Sequence, residues 1–370
     1  MSIKNLAIVF LLANNLQSLS YDFDLIQYTY EQKYYNKAIT DKTPNAVLVI
    51  AYNRPQYFKE LIKSLEKNPE SKTMPFYFFL DGGPKATQQV LINLINQSTI
   101  KNKEIFLRQR NYGLPKNIID ARRFMFDWCG FDKVIVMEDD LIVTPQFIKL
   151  SLSLHDWAVK NVAYVGTTQM FTHCLLSREE KIRKRAWVRE AASEWCIFVC
   201  YCMHKTCWEI IRNTMYEFEK FVDMIPWSEE FDEERSNLTS CKESPLIREW
   251  LKVKLKQHKQ QLLNQNKDIF ESSAIDYESM ILNGFPFLNQ DRIMGIALWL
   301  HGLCKIETVV NRVQHIGHQG LTVSQNFDWT SGIHLDIFND DATLKEFKLV
   351  APNLEFALCG FKKNSLNFDS

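Results

Sequence analysis

The chain has 370 residues, of which 44 are basic and 44 are acidic, so its formal net charge at pH 7 is zero. No basic stripe is interleaved with aromatic residues, which argues against nucleic acid as a partner. Hydrophobic residues make up 46% of the sequence, enough for one large domain or two small ones to bury a sizeable core.

The N-terminus has the pattern of a targeting segment. Lys4 precedes the apolar run Leu6–Ala13, which suits a signal-peptide core but is shorter than the roughly 20 residues that cross a bilayer. We predict a signal peptide over residues 1–20, cleaved before Tyr21, and a lead segment over residues 21–43. This predicts a lumenal or secreted protein, with the Golgi as one location and no transmembrane span. An uncleaved, buried N-terminus would instead indicate a cytoplasmic protein.

Four apolar runs follow, and helical patterns separate them. Each run ends in a polar or turn-forming cluster, and the runs are Val47–Ala51, Phe76–Leu80, Glu104–Leu107 and Val134–Met137. Strands that alternate with helices predict an α/β fold with a mostly parallel central sheet flanked by helices. Ligands of such sheets bind at the C-terminal ends of the strands.

The fourth run leads directly into Glu138, Asp139 and Asp140. Adjacent carboxylates repel one another and lose hydration when buried. A Mg²⁺ or Mn²⁺ ion between these carboxylates and a substrate diphosphate would offset that cost. The alternative is a solvated acidic turn. The chain has neither a G-x-x-x-x-G-K-[ST] nor a G-x-G-x-x-G motif, which disfavours a P-loop or dinucleotide-binding domain.

Five segments in order resemble glycosyltransferases of the GT-A fold. The closest resemblance is to inverting enzymes with a Glu-Asp-Asp metal motif, such as N-acetylglucosaminyltransferase I, and to family-2-like bacterial sugar transferases. The segments are Val49–Pro55, Leu80–Pro84, Arg110–Leu114, Val136–Leu141 and Asp291–Gly317. The resemblance implies a donor-binding half over residues 44–165, an acceptor-binding and catalytic half over 166–335, and a tail over 336–370.

The resemblance also implies donor-site roles for residues at the ends of the first three strands. Asn53 and Arg54 would line the nucleotide pocket. Asp81 would accept a hydrogen bond from the base, since a carboxylate is an acceptor. Arg110 would lie beside the base or the diphosphate, which suits its planar fork of donors. An ordinary tight turn is the alternative for the segment that begins at Asp81.

In the acidic triplet the resemblance makes Asp140 the direct metal ligand. Asp139 would lie near the ribose, and Glu138 belongs to the same donor-binding motif. A later histidine completes the metal shell in some GT-A enzymes, so His315 and His318 are candidates. We favour a loop histidine bonded to the backbone for both.

The catalytic base implied by the resemblance is Asp291, at the start of an apolar helix before Trp299. Related enzymes often carry Trp-Asp here, whereas this chain has Gln290 before the aspartate. Helix capping is the alternative role for Asp291. Asp276 and Glu278 are the fallback candidates for the base.

Two further features concern packing and compartment. Glu194 and Trp195 would lie beside the donor sugar and acceptor if the resemblance extends to this loop; a buried core Trp is the alternative.

Nine cysteines are many for a cytosolic protein. Strand alternation puts Cys196, Cys200 and Cys202 on one face, which favours core packing and leaves one or two disulfides open.

These features predict an inverting, metal-assisted glycosyltransferase, either hexosyl- or N-acetylhexosaminyl-transferring. Its donor would be a nucleoside diphosphate sugar, with UDP as the expected nucleotide, and its acceptor the hydroxyl of a glycan or glycoconjugate. Two alternatives remain open. One is a non-catalytic sugar- or nucleotide-binding protein on the same fold, and the other is a metal-dependent phosphoryl-transfer enzyme.

Overall fold

The computed structural model describes residues 44–162, 164–171, 176–191, 198, 200–223, 245–264, 281–282, 290–317 and 346–350. Its strands are β1 (Asn45–Ala51), β2 (Pro75–Leu80), β3 (Asn102–Leu107), β4 (Lys133–Glu138), β5 (Leu141–Val143), β6 (Val165–Gln169), β7 (Trp187–Ala191), β8 (Cys200–His204), β9 (Cys304–Thr308), β10 (Val313–His315) and β11 (Lys348–Leu349). Its α-helices are α1 (Pro55–Leu65), α2 (Lys85–Gln97), α3 (Leu114–Arg123), α4 (Phe147–Asn161), α5 (Arg178–Lys184), α6 (Lys205–Asp223), α7 (Pro245–Asn264) and α8 (Gln290–Leu300). A 3₁₀ turn covers Pro69–Lys72, and α3 continues as a π-helical turn over Phe124–Trp128.

Nine strands form one sheet in the order β11-β7-β9-β6-β8-β4-β1-β2-β3. The four strands predicted from the apolar runs lie side by side and pair in parallel. Strand β8 is inserted antiparallel between β4 and β6, and β7 is antiparallel to β9. Parallel pairing still predominates, since β6–β9 and β7–β11 are parallel too, so the predicted α/β fold with a mostly parallel sheet is confirmed.

Helices cover both faces of the sheet, which explains why the central strands read as continuous apolar runs. Alternate residues of β1 enter opposite cores, because side chains of a strand point to opposite faces. One core packs β1 against α3, α6 and α8. The other packs it against α1, α2 and α4. Cys200 and Cys202 lie together in the second core as free thiols, as the alternation predicted, whereas Cys207 lies in the first.

The sheet runs across the predicted halves and reaches into the predicted tail. The boundary between residues 165 and 166 falls at the start of β6, and β11 of the tail pairs with β7. The predicted signal peptide and lead segment lie outside the described residues. No helix in the described part of the chain combines the length and apolar character needed to cross a membrane.

Candidate functional site

The strands that carry the predicted donor residues end level with one another. Ile50 of β1 pairs with Glu138 of β4, and Ala51 pairs with Leu80 of β2. The residues that follow these strands therefore meet at one edge of the sheet. We call its carboxylates the acid edge, which consists of Asp81, Glu138, Asp139, Asp140 and Asp291.

Arg54 binds two members of the acid edge. Its guanidinium forms an ion pair with Asp139, and its Nη1 lies 2.7 Å from Asp140 Oδ2. The backbone N–H of Tyr52 also donates to Asp139, at 3.4 Å. Burial raises the pKa of Asp139 to about 6, although Arg54 opposes that shift. Asn53 lies half-buried beside Arg54 at the same edge.

Asp140 faces a histidine from a distant part of the chain. β10 pairs antiparallel with β5, placing His315 opposite Leu141. The Nε2 atom of His315 lies 3.2 Å from Asp140 Oδ2. Burial alone would raise the pKa of Asp140, but His315 and Arg54 outweigh it and lower the pKa to about 2. The backbone packs closely here, since a Cβ on Gly317 would lie 2.2 Å from Asp140 Oδ2.

The chemistry of this pair fits a divalent cation. Asp140 Oδ1 is buried and has no hydrogen-bond partner. Carboxylate and imidazole are both ligands of Mn²⁺, whereas Mg²⁺ prefers oxygen alone. Among the described residues, no group of three or more His, Cys, Asp or Glu side chains is arranged to hold a metal by itself. A cation here would need further ligands from a diphosphate and water.

Asp81 organises the loop that carries Arg110. Its Oδ1 accepts hydrogen bonds from the backbone N–H groups of Gly82 at 2.9 Å and Tyr112 at 2.8 Å. A Cβ on Gly82 would lie 1.9 Å from the backbone of Arg110, so the approach of this loop requires glycine. Burial raises the pKa of Asp81 to about 6. The exposed Arg110 guanidinium lies 5.0 Å from the centre of the Tyr112 ring.

Asp291 joins the acid edge from α8. Its Oδ2 accepts a hydrogen bond from the Phe198 N–H at 3.3 Å. Phe198 lies two residues before Cys200, which pairs with Met137 near the end of β4, so this bond brings Asp291 to the acidic triplet. Burial and the negative charges of Asp140 and Asp291 raise the pKa of Glu138 well above its ordinary value.

Helix capping does not account for Asp291. The described hydrogen bonds of its carboxylate run to Phe198 and to the side chain of Gln290, not to amides of α8. Burial raises its pKa to about 6.

The structure therefore brings all eight predicted site residues to one end of the sheet. His315 differs from our expectation of a loop histidine bonded to the backbone, because it lies in β10 and its ring contacts Asp140. Five other candidates lie outside the described residues, namely Glu194, Trp195, Asp276, Glu278 and His318.

Sequence analysis missed Arg122, a fully buried side chain of α3 that contacts Gln290. One signal was available: four of the ten residues of this helix are charged, and three of them, Asp120, Arg122 and Arg123, lie within its last four positions. Such a run in a buried helix indicates internal partners, since isolated buried charges are costly.

Comparison with known proteins gives one family match. Residues 46–198 match the model of Glycosyl transferase family 2, which confirms the resemblance to family-2-like sugar transferases and the GT-A fold class. No curated protein matches the sequence.

Solved structures give weaker likenesses. The mannosyltransferase PcManGT from Pyrobaculum calidifontis, in complex with GDP-Man and Mn²⁺, is 12% identical; the alignment covers 55% of this chain and 53% of that one, with a TM-score of 0.32. For S. aureus TarS 1–349 the identity is 15%, the coverage 45% and 48%, and the TM-score 0.31. Mouse xyloside xylosyltransferase 1 is 8% identical; the alignment covers 49% of this chain and 74% of that one, with a TM-score of 0.30. The chain thus spans about half of the first two proteins.

Proposed function

We propose that the chain is a metal-assisted, inverting glycosyltransferase, on the basis that residues 46–198 match the model of Glycosyl transferase family 2. Its donor is a nucleoside diphosphate sugar, with UDP as the expected nucleotide. Its acceptor is a hydroxyl of a glycan or glycoconjugate.

The donor side of the proposed site rests on the strand ends of β1, β2 and β4. Asp81 presents a carboxylate to an N–H of the base, although its Oδ1 already accepts two backbone N–H groups. Asn53 and Arg110 flank the nucleotide, and Asp139 lies towards the ribose. Arg54 supplies a positive charge beside the diphosphate.

Asp140 and His315 are the residues that would hold a divalent cation. A cation held there would supply positive charge that stabilises the leaving diphosphate. Arg54 now neutralises part of the charge of Asp140, from 2.7 Å. If a cation neutralised Asp140 instead, the flexible side chain of Arg54 could turn towards the diphosphate.

Asp291 is the proposed general base. It takes the proton of the acceptor hydroxyl, and the oxygen attacks the anomeric carbon from the face opposite the diphosphate. A pKa near 6 suits this task, because a base acts best when its pKa lies near the working pH. Its carboxylate is held on both oxygens, by Gln290 and Phe198.

One observation carries the proposal. Asp291 and the acidic triplet are more than 150 residues apart in the sequence, yet the bond from Phe198 brings them to the same end of β4. This arrangement supplies a leaving-group site and a base together, which the transfer of a sugar to a hydroxyl requires.

The test starts with donor binding. Nucleoside diphosphate sugars are screened by thermal shift with Mn²⁺ present, since a ligand that binds the folded state at 100 times its Kd adds about 2.7 kcal/mol of stability. The selected donor is then incubated with glycan acceptors, and the products are identified by mass spectrometry and NMR. We expect the acceptor to gain one sugar of inverted anomeric configuration and the nucleoside diphosphate to be released.

Other outcomes separate the alternatives. Binding without turnover would indicate a non-catalytic binding protein, and a phosphorylated acceptor would indicate a phosphoryl-transfer enzyme. Retention of the anomeric configuration would contradict the role of Asp291 as a base that activates the acceptor. If no nucleotide sugar binds, the proposal is wrong.

We further propose that the protein enters the secretory pathway. The support is the short apolar run after Lys4 and the predicted cleavage before Tyr21. N-terminal sequencing of protein from its native host should start near Tyr21. Intact protein recovered from the cytosol would contradict this proposal.

A further inference from the structure

A buried guanidinium lies behind the proposed base. The side chain of Arg122 is 0% exposed, and within the described chain its Nε and Nη1 atoms have no hydrogen-bond partner. Its Nη2 donates to Gln290 Oε1 at 3.4 Å, and the guanidinium lies 5.4 Å from the centre of the Tyr201 ring. No carboxylate of the described residues forms an ion pair with it, and a buried charge without such a partner is costly, so this position indicates a role other than an ordinary ion pair.

Gln290 connects Arg122 to Asp291. Its amide oxygen accepts from Arg122, and its Nε2 donates to Asp291 Oδ1. A guanidinium can only donate, whereas an amide has one accepting and one donating end. Arg122 therefore requires the oxygen of Gln290 to face it, and this turns the NH₂ group towards the carboxylate. The opposite orientation would place the amide oxygen against a carboxylate oxygen.

We propose that Arg122 and Gln290 are positioning residues that act in series to hold Asp291 in one orientation and in its ionised form. The inference rests on the proposed function only where it treats Asp291 as the base. We call the chain of contacts from Arg122 through Gln290 to Asp291 the relay.

The charges around Asp291 explain why such a relay matters. Two cations face it, Arg122 from α3 and Lys305 from β9, and both favour the carboxylate. Glu138 from β4 and the Tyr201 hydroxyl from β8 also face Asp291, and its negative charge raises the pKa of both groups. Burial opposes ionisation, and the Phe198 N–H, the charges of Arg122 and Lys305 and the bond from Gln290 all favour the carboxylate against it.

The test measures the ionisation of Asp291 directly and needs no substrate. The full chain is labelled with ¹³C at the side-chain carboxyl of aspartate and titrated by NMR. The signal of Asp291 is the one missing in Asp291→Asn. We expect a wild-type midpoint near pH 6. Removing one charge-assisted hydrogen bond should raise the midpoint by about one pH unit, both in Arg122→Met and in Gln290→Leu.

The double variant distinguishes a relay from two independent effects. If Arg122 acts partly through Gln290, the midpoint in Arg122→Met with Gln290→Leu shifts by clearly less than the sum of the two single shifts, because only the direct charge effect of Arg122 adds to the loss of Gln290. Fully additive shifts, or unchanged midpoints in both single variants, would overturn the proposal. Gln290→Leu decides alone if Arg122→Met fails to fold. Arg212→Met is the control, because Arg212 pairs with Asp127 on a half-exposed surface and should leave the midpoint unchanged.

Activity separates this inference from the proposed function. With the donor selected by the screen, both single variants should shift the acidic limb of the kcat profile by the same amount and leave the KM for the donor unchanged. If Asp291→Asn keeps normal turnover while the NMR midpoints shift as expected, the relay stands and the role of the base is wrong. If Asp291→Asn is inactive and the midpoints do not move, the relay is wrong.

Discussion

Two clusters of buried charge in the described part of the chain differ in their balance of cations and carboxylates. The first joins the loop after β3 to α3 and α6, and we call it the helix ion network; its members are Arg108, Lys116, Asp120, Arg123 and Glu219. In it, Asp120 accepts from Arg108 at 2.8 Å and from Arg123 at 2.6 Å. The second cluster, the acid edge, holds five carboxylates, and Arg54 forms ion pairs with two of them, Asp139 and Asp140.

The pKa values follow this difference. In the helix ion network Arg108 and Arg123 outweigh burial and lower the pKa of Asp120, whereas burial and the charge of Asp120 raise the pKa of Glu219 to about 7. At the acid edge burial raises the pKa of four carboxyl groups, and the exception is Asp140, beside His315 and Arg54. Balanced buried charge stabilises the fold, whereas unbalanced charge costs stability and leaves electrostatic demand for a ligand. We therefore expect an Asp→Asn substitution to lower the stability of the fold in the helix ion network and to raise it at the acid edge.

The largest effect is expected on turnover. Asp291→Asn keeps the shape of the side chain and its acceptor for the Phe198 N–H, but it cannot take a proton. Turnover should fall about 10²–10⁴-fold, which corresponds to roughly 2.7–5.4 kcal/mol of barrier. The measurement is kcat with the selected donor, with thermal melting as a check that the fold is unchanged. Near-normal turnover would place the base elsewhere, with Asp276 or Glu278 next.

Stability should respond strongly in the balanced cluster. Asp120→Asn removes the charge that Arg108 and Arg123 share, and breaking a buried pair costs about 3–5 kcal/mol. Urea denaturation at pH 7 measures the loss. Folding lowers the pKa of Asp120. The stability that its carboxylate contributes is therefore present above the pKa of the unfolded state and is lost as the pH falls through the pKa of the folded state.

The control for Asp120→Asn is Asp156→Asn. Asp156 pairs with Lys133 at 2.6 Å, but its side chain is 63% exposed. Exposed pairs contribute about 0–1 kcal/mol, so this variant should melt like the wild type. If Asp120→Asn and Asp156→Asn lose the same stability, the burial of an ion pair does not determine how much it contributes to the stability of this fold.

The matching substitution at the acid edge should have the opposite sign. Asp81→Asn keeps an oxygen for the N–H groups of Gly82 and Tyr112 while removing a buried charge. Folding raises the pKa of Asp81 from 3.8 to about 6, so its stabilising contribution is complete below pH 3.8 and is lost as the pH rises through 6. Relative to wild type, the variant should therefore gain stability between pH 4 and 7, by roughly 3 kcal/mol at most.

Parallel urea titrations at several pH values measure that gain. The proposed function adds that Asp81→Asn binds the donor more weakly although it is more stable. If Asp81→Asn instead loses stability relative to wild type as the pH rises from 4 to 7, the assignment of Asp81 to the unbalanced cluster is wrong.

The predictable part of the fold and site was local. Each of β1 to β4 is a continuous apolar run, and parallel pairing brings their ends to one edge, so Arg54, Asp81 and Asp139 could be placed together from sequence. The insertion of β8 between β4 and β6 could not, because nothing in a strand's own sequence names its antiparallel neighbour.

Contacts between distant segments also escaped prediction. His315 reaches Asp140 only through the pairing of β10 with β5. Arg122 and Gln290 are 168 residues apart and meet because α3 and α8 share one core. A sequence shows the charge on such residues but not its partner.

The most direct test of whether the unbalanced acid edge binds a cation and a diphosphate is donor binding by variants of Asp140. Calorimetry with UDP and with the selected nucleotide sugar, with and without Mn²⁺, measures this. We predict that wild type binds at least about tenfold more tightly with Mn²⁺, a difference of about 1.4 kcal/mol, and that Asp140→Ala folds normally but loses this difference. Equal affinity in wild type with and without Mn²⁺ would contradict the account.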